Sequence, residues 1–235
     1  GEIWEGEWLP AAAAMSLFLW DLHVLAWTGM WYSVAGRRPQ LASLRAIPGL
    51  VVLRPADANE VVEAWRVIMQ FRHQPVALIL TRQNLPTLDR RRYAAASGLA
   101  KGGYILADAE DGQPEVLLVA TGSEVSLCVK AYEQLKGEGI KARVVSMPSW
   151  ELFDRQERAY QDSVLPPEIT ARVSVEQAST LGWRRYVGLQ GLTIGMHTFG
   201  ASAPLKALQN KFGFTPEKIA AAAREQVAKM KAANG

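Results

Sequence analysis

The sequence predicts an α/β protein of two lobes, each with a mostly parallel sheet flanked by helices. Three observations carry that expectation. Short, nearly continuous apolar runs, the mark of strands buried on both faces, recur between residues 50 and 175. Segments of helical periodicity separate successive runs, which implies parallel strands joined by right-handed crossovers. A connection rich in glycine and acidic residues, positions 90–113, divides the pattern into two blocks.

Residues 1–40 hold five of the eight tryptophans and an alanine run, with neither a helical nor an alternating period. Regularity begins at Leu41. Leu50-Val51-Val52-Leu53 reads as a short buried strand closed by Arg54-Pro55. Asp57-Ala58-Asn59-Glu60 is a helix start of the capping-box type, the Asp side chain accepting from the backbone two or three residues on. Val61, Val62, Ala64, Trp65, Ile68 and Met69 then recur near every 3.6 residues, the period of an amphipathic helix. Pro75 to Leu80 is the next strand. It ends at Thr81-Arg82-Gln83-Asn84-Leu85, before Pro86.

Within the connection, Tyr104-Ile105-Leu106 has the pattern of one short strand. The second block opens with the strand Val116–Ala120, and Thr121-Gly122-Ser123 turns into a helix ending near Lys136, where Gly137 and Gly139 tolerate left-handed geometry. Ala142–Met147 is a strand stopped by Pro148, followed by a polar helical segment around Asp154–Asp162 and the strand Ala171–Val175. The last helix runs from Pro216 to about Lys231, with Thr215 as its cap and proline at its first position.

Composition excludes several classes of function. Hydrophobic residues make up 49% and charged residues 21% of 235, as in ordinary globular domains. A net charge of +3, with Arg90-Arg91-Arg92 the one tight basic cluster, argues against nucleic acid. Cys128 is the sole cysteine, so an intrachain disulfide and a cysteine metal cluster are both impossible. It lies among Val125, Leu127, Tyr132 and Leu135 on what reads as a buried helix face, a packed thiol rather than a nucleophile. Three scattered histidines (His23, His73 and His197) argue against zinc, and the expected setting is reducing and cytoplasmic. The apolar stretch Leu9 to Trp20 is short for a membrane span and is broken by Asp21, while Glu2, Glu5 and Glu7 stand where a signal peptide has positive charge.

The chemistry-bearing candidates are few. Arg82 stands just past a strand's carboxyl end, where open parallel sheets place their ligands, and a guanidinium fork bonds two phosphate oxygens at once. Its other reading is a surface charge. Ala120-Thr121-Gly122-Ser123-Glu124 joins strand to helix without a dinucleotide fingerprint or P-loop lysine, so Ser123 reads as a helix cap before a phosphate cradle. Glu176 reads as a buried acid or as the partner of Arg184 or Arg185. His197 lies in a glycine-rich loop and reads as structural. On residues alone no nucleophile–base pair or metal spacing emerges, and the activity stays unnamed.

The order of segments is more specific than any one of them. Leu41-Ala42-Ser43-Leu44-Arg45-Ala46-Ile47-Pro48, Arg54-Pro55-Ala56-Asp57, Leu80-Thr81-Arg82-Gln83-Asn84-Leu85 and Ala120-Thr121-Gly122-Ser123-Glu124-Val125 resemble transketolase. So do Ala142-Arg143-Val144-Val145-Ser146-Met147-Pro148, Ser163-Val164-Leu165-Pro166 and Thr198-Phe199-Gly200-Ala201-Ser202-Ala203-Pro204. The likeness runs from Leu41 to about Val227.

That resemblance implies a transferase of the pentose phosphate pathway and Calvin cycle, moving a two-carbon ketol unit between sugar phosphates with thiamine diphosphate and Mg2+. It implies a partial pyrimidine-binding domain over 41–95, a linker over 96–113 and the transketolase C-terminal domain over 114–235, with 1–40 an atypical Trp-rich segment. Arg82 matches the family arginine that contacts the substrate phosphate. No catalytic, cofactor or metal role transfers to Ser123, Glu176, His197 or any other residue. Where the family reads Gly-Glu-Asp-Gly-Pro-Thr-His-Gln-Pro, this chain has Tyr32-Ser33-Val34-Ala35-Gly36-Arg37-Arg38-Pro39-Gln40, without the histidine or the acids. A disrupted or fused upstream coding frame and a divergent extension both account for that difference. The chain alone is therefore expected to be inactive. Its expected partners are sugar phosphates and either a second copy, as in the homodimeric family, or the missing N-terminal part. The alternative is a non-catalytic subunit or assembly module of a split thiamine enzyme. Deoxyxylulose-phosphate synthases and dehydrogenase β subunits resemble these motifs less closely.

Overall fold

Apolar runs of three to eight residues, each closed by a proline, a turn or a charge, make the strands, and helices cover them. The computed structural model describes residues 40–234, so the reading of the Trp-rich segment falls outside the described residues. The first lobe consists of α1 (Gln40–Arg45), β1 (Val51–Leu53), α2 (Ala58–Ile68) and β2 (Val76–Leu78). β1 and β2 pair in parallel with Leu53 opposite Leu78. The strand expected over 75–80 is shorter than its apolar run. Ile79 N–H still donates to Leu53 O at 2.8 Å, but the Thr81 hydroxyl then accepts from Gln83 N–H at 3.2 Å and bends the chain at Arg82.

α2 begins as the capping pattern implies. The Asp57 carboxylate accepts from Glu60 N–H at 2.9 Å, and the Glu60 carboxylate reaches back to Ala56 N–H at 2.8 Å, one residue earlier than in the usual box. Its apolar face divides in two. Ala64 and Val67 pack on Val51 and Leu53, whereas Val62, Trp65 and Met69 are exposed. Two strands are too narrow a surface to cover the whole apolar stripe of a helix.

After a 3-10 turn at Ala96–Lys101, β3 (Tyr104–Ala107) joins the second sheet as an antiparallel edge. The remaining elements are β4 (Val116–Ala120), a 3-10 turn at Gly122–Glu124, α3 (Val125–Gly137), β5 (Ala142–Ser146), α4 (Trp150–Asp154), α5 (Arg158–Val164), β6 (Arg172–Ser179), α6 (Arg184–Val187), β7 (Leu192–Met196), α7 (Leu205–Phe212) and α8 (Pro216–Asn234). The strand order is β3-β5-β4-β6-β7, with β5, β4, β6 and β7 parallel. Val116, Leu118 and Ala120 face α3 and α8, while Leu117 and Val119 face Trp150, Phe153, Trp183 and Tyr186. Both faces of β4 are thus covered, which is why it reads as an unbroken apolar run. Cys128 is buried on α3, where burial pushes its thiol pKa far above the ordinary value and keeps it unreactive. The polar segment expected as one helix around residues 154–162 is two, α4 and α5. β7 escapes a periodicity reading because Gly195 interrupts it. A Cβ there would lie 2.6 Å from Thr180 Cγ2, so the close strand approach demands glycine.

The lobes are joined through buried polar groups. Glu60 Oε1 accepts from Tyr104 OH and from Ser146 Oγ, both at 2.7 Å, so one carboxyl group of α2 holds β3 and β5. Arg90 donates to Tyr104 OH at 3.1 Å and to Asp57 Oδ1 at 2.9 Å. Burial raises the Glu60 pKa above the ordinary carboxylate value and outweighs the hydrogen bonds from Ser146, Tyr104 and the Ala56 N–H. The folded chain therefore binds this proton more tightly than the unfolded chain. Stability from this group is present below the unfolded value of 4.5 and is lost as pH rises through the raised folded value. Urea unfolding of the parent chain and Glu60→Gln across about pH 4 to 7 checks this. The parent should lose stability relative to the variant as pH rises; a pH-independent difference would contradict the buried proton.

Candidate functional site

The carboxyl end of β1 runs straight into the second lobe. Arg54 N–H donates to Pro148 O at 2.8 Å, and Gly122 N–H donates to Arg54 O at 3.1 Å. The Arg54 side chain then enters the crevice beyond the carboxyl end of β4, beside Glu176 of β6. Its Nη2 lies 2.5 Å from Glu124 Oε2, and its Nη1 lies 2.9 Å from Thr121 O and 3.3 Å from Glu176 Oε1. Gly122 adopts φ +59°, and a Cβ there would stand 2.8 Å from Arg54 Nε. Glycine thus serves twice, for the left-handed turn and for the guanidinium lying against it.

Glu176 is shared. Arg45, on the last turn of α1, grips it with a two-point fork, Nη1 to Oε2 at 2.9 Å and Nη2 to Oε1 at 3.0 Å. Trp183 Nε1–H donates to the same carboxylate at 2.8 Å, and the Arg45 guanidinium lies 3.7 Å above the Trp150 ring centroid. Glu124 in turn accepts from Gln177 N–H at 3.1 Å and from the Ser123 hydroxyl. The result is a buried cluster of two cations and two anions. Burial lowers the Arg54 pKa, but the charges of Glu124 and Glu176 overcome it and leave the guanidinium firmly protonated.

These contacts correct three expectations. Glu176 does pair with arginine, but with Arg45 and Arg54 from the other lobe; Arg185 instead pairs with Asp154 at 2.8 Å. Ser123 caps no helix, because a 3-10 turn precedes α3 and its hydroxyl serves Glu124. His197 is exposed in its loop and does not pack as a structural histidine. Arg54, Arg45, Glu124 and Glu60 were missed as site residues. The available signal was a charge placed directly after, or just before, an apolar run that must be buried.

Arg82 is exposed at the bend after β2, and among the described residues no side chain or carbonyl engages its guanidinium. A groove beside Tyr132, lined by Arg92, Asp108, Glu133 and Lys136, lies elsewhere, and its charges are already matched by Arg92–Glu133, Lys136–Glu110 and Arg143–Asp108 pairs. Among the described residues no group of three His, Cys, Asp or Glu side chains can hold a metal ion, and no helix is long and apolar enough to cross a membrane. The buried acids are occupied by arginines and hydroxyls. These residues therefore do not fit a diphosphate–metal site.

Comparison with known proteins agrees with the motif order. Residues 38–87 match the transketolase pyrimidine-binding domain, and residues 102–215 match the transketolase-like C-terminal domain. The chain is 52% identical to the transketolase of Halalkalibacterium halodurans over 185 residues, covering 79% of this chain and 28% of that protein. Among solved structures, a transketolase complex with sedoheptulose-7-phosphate from Pichia stipitis is similar at TM-score 0.74 and 41% identity, over 83% of this chain and 28% of that one. A split-gene transketolase, solved as an inactive β4 tetramer, shares the fold at TM-score 0.66 and 23% identity, over 82% of this chain and 62% of that one. The chain spans a little over a quarter of the length of the first two relatives.

Proposed function

This chain belongs to the transketolase family, and from that premise we propose that Arg82 holds the phosphate of a sugar substrate during transfer of a two-carbon ketol unit between sugar phosphates. The observation that carries the reading is the placement of Arg82. It is an exposed cation, unengaged among the described residues, at a bend just past the carboxyl end of a parallel strand. A phosphate gripped there by a charge-assisted fork fixes one end of the sugar, and the reacting carbon is aligned at the other. Thiamine diphosphate, bound with a divalent cation, supplies the electron sink for the carbon–carbon bond chemistry in such enzymes. The part proposed for the described residues is substrate orientation and packing.

The proposed setting is cytoplasmic, in pentose phosphate or Calvin cycle metabolism, and the proposed working state is an assembly: a homodimer, or a complex with the cofactor-binding part. The exposed Val62, Trp65 and Met69 on α2 support association, since they form an apolar stripe with no cover from the described residues. A second reading is a non-catalytic subunit of a split enzyme, a class to which the split-gene chain of the same fold belongs.

In a complete enzyme carrying this segment, Arg82→Ala should raise KM for a phosphorylated ketose roughly 10-fold or more, the weight of one charge-assisted hydrogen-bonded contact. A phosphate-free ketol donor should be unaffected; equal losses for both donors would refute the role. Calorimetric titration of thiamine diphosphate with Mg2+ into the purified chain should give no saturable binding at micromolar concentrations. A micromolar isotherm would overturn the proposal that the cofactor site lies elsewhere.

A further inference from the structure

An open parallel sheet takes its ligands where neighbouring strands send their connections in opposite directions. In the second lobe that place is the crevice between β4 and β6. The chain leaves β4 for β5 on one side, while β6 lies on the other. The occupant of this crevice is a side chain of the first lobe, Arg54. We infer that the crevice is a receptor for Arg54, and that Arg54 is a positioning residue for the Arg82 bend. The inference rests on the substrate-phosphate reading of Arg82.

Three features of the crevice fit a guanidinium. It offers two carboxylates and one carbonyl, Glu124, Glu176 and Thr121 O, all acceptors for a fork of donors, and Arg45 balances the second acid. Its floor is Gly122, whose missing Cβ leaves room for the Arg54 plane. Both acceptor acids are themselves fixed, Glu124 by Gln177 N–H and Glu176 by Trp183 Nε1–H and Arg45. A lysine keeps the charge but presents one point where two acids need two.

The link to Arg82 is covalent and hydrogen-bonded. Arg54 follows Leu53, whose carbonyl accepts from Ile79 N–H at 2.8 Å, and Ile79 lies three residues before Arg82. Arg54's own N–H and C=O are bound to Pro148 and Gly122 of the second lobe. The two described strands are marginal by themselves, so the direction in which their carboxyl edge points depends on the contacts to the second lobe, of which those of Arg54 lie at the end of β1 itself. A group that must align a substrate within about half an ångström needs such support.

The test uses Arg54→Lys, with Glu124→Gln as a near-isosteric second variant should the first fail to fold. Amide hydrogen exchange on the chain itself should speed up about 10-fold or more at residues 79–83, while β4 and α3 amides stay protected. In a complete enzyme carrying this segment, KM for a phosphorylated ketose should rise about 5-fold or more, with kcat and the KM of a phosphate-free donor little changed. Adding Arg54→Lys to Arg82→Ala should cause no further loss with the phosphorylated donor. Lowered stability with unchanged exchange at 79–83 and an unchanged ratio of the two KM values would overturn the inference and leave Arg54 a structural residue. If Arg82→Ala itself fails to discriminate between donors, the phosphate reading falls, and the exchange result alone decides whether Arg54 orders the bend.

Discussion

Two arginines and two glutamates, all withdrawn from water where the lobes meet, neutralise one another, and the remaining structure depends on that balance. Arg45 and Arg54 come from the ends of α1 and β1; Glu124 and Glu176 come from the turn after β4 and from β6. Taking each ion out of water costs several kcal/mol, and mutual attraction returns this only in good geometry with the remaining hydrogen-bonding groups satisfied. Here the geometry is good: a two-point fork, an indole donor and a backbone carbonyl complete the set. A partner removed singly leaves a bare buried charge, a loss of about 3–5 kcal/mol, whereas a well-packed apolar replacement of a whole pair is often neutral. The cluster's value is therefore orientational. It admits one docking of the lobes, because two forks must meet two carboxylates at once.

The first lobe needs that orientation more than the second. Its described sheet has two strands, its helix leaves Val62, Trp65 and Met69 uncovered, and Arg82 stands on a bend outside the ladder. The second lobe carries a five-stranded sheet with helices on both faces and is self-sufficient by comparison. In the proposed role it supplies rigidity, and the first lobe supplies Arg82. Glu60 works beside the ion cluster, tying α2 to β3 and β5 through hydroxyl groups of Tyr104 and Ser146.

Much of the fold could be read from the chain. The strands β1, β4 and β5 are apolar runs whose neighbours on both faces are helices, and the start of α2 is set by local chemistry at Asp57 and Glu60. β7 could not be read so well, since Gly195 answers to a contact with Thr180 and not to any local period. The apolar stripe of α2 was visible, but which half of it is buried depends on the width of the sheet beneath. The ion cluster was the least readable feature. Glu176 is separated from Arg54 by 122 residues and from Arg45 by 131, and sequence proximity pointed it toward Arg184 and Arg185 instead. Arg82 could be proposed from the chain because its signal is local, a cation directly after a strand within a motif shared with a family.

The central claim is that the four buried charges act as one unit in holding the lobes together. A double-mutant cycle between Arg54→Met and Glu124→Leu, which leaves the Arg45–Glu176 pair whole, tests it most directly when read by urea unfolding of the chain. Each single change should cost about 3 kcal/mol or more, and the double change should cost at least about 2 kcal/mol less than their sum. Losses that add to within about 0.5 kcal/mol would show that Arg54 and Glu124 are independent, and the lobes would then be held by something else.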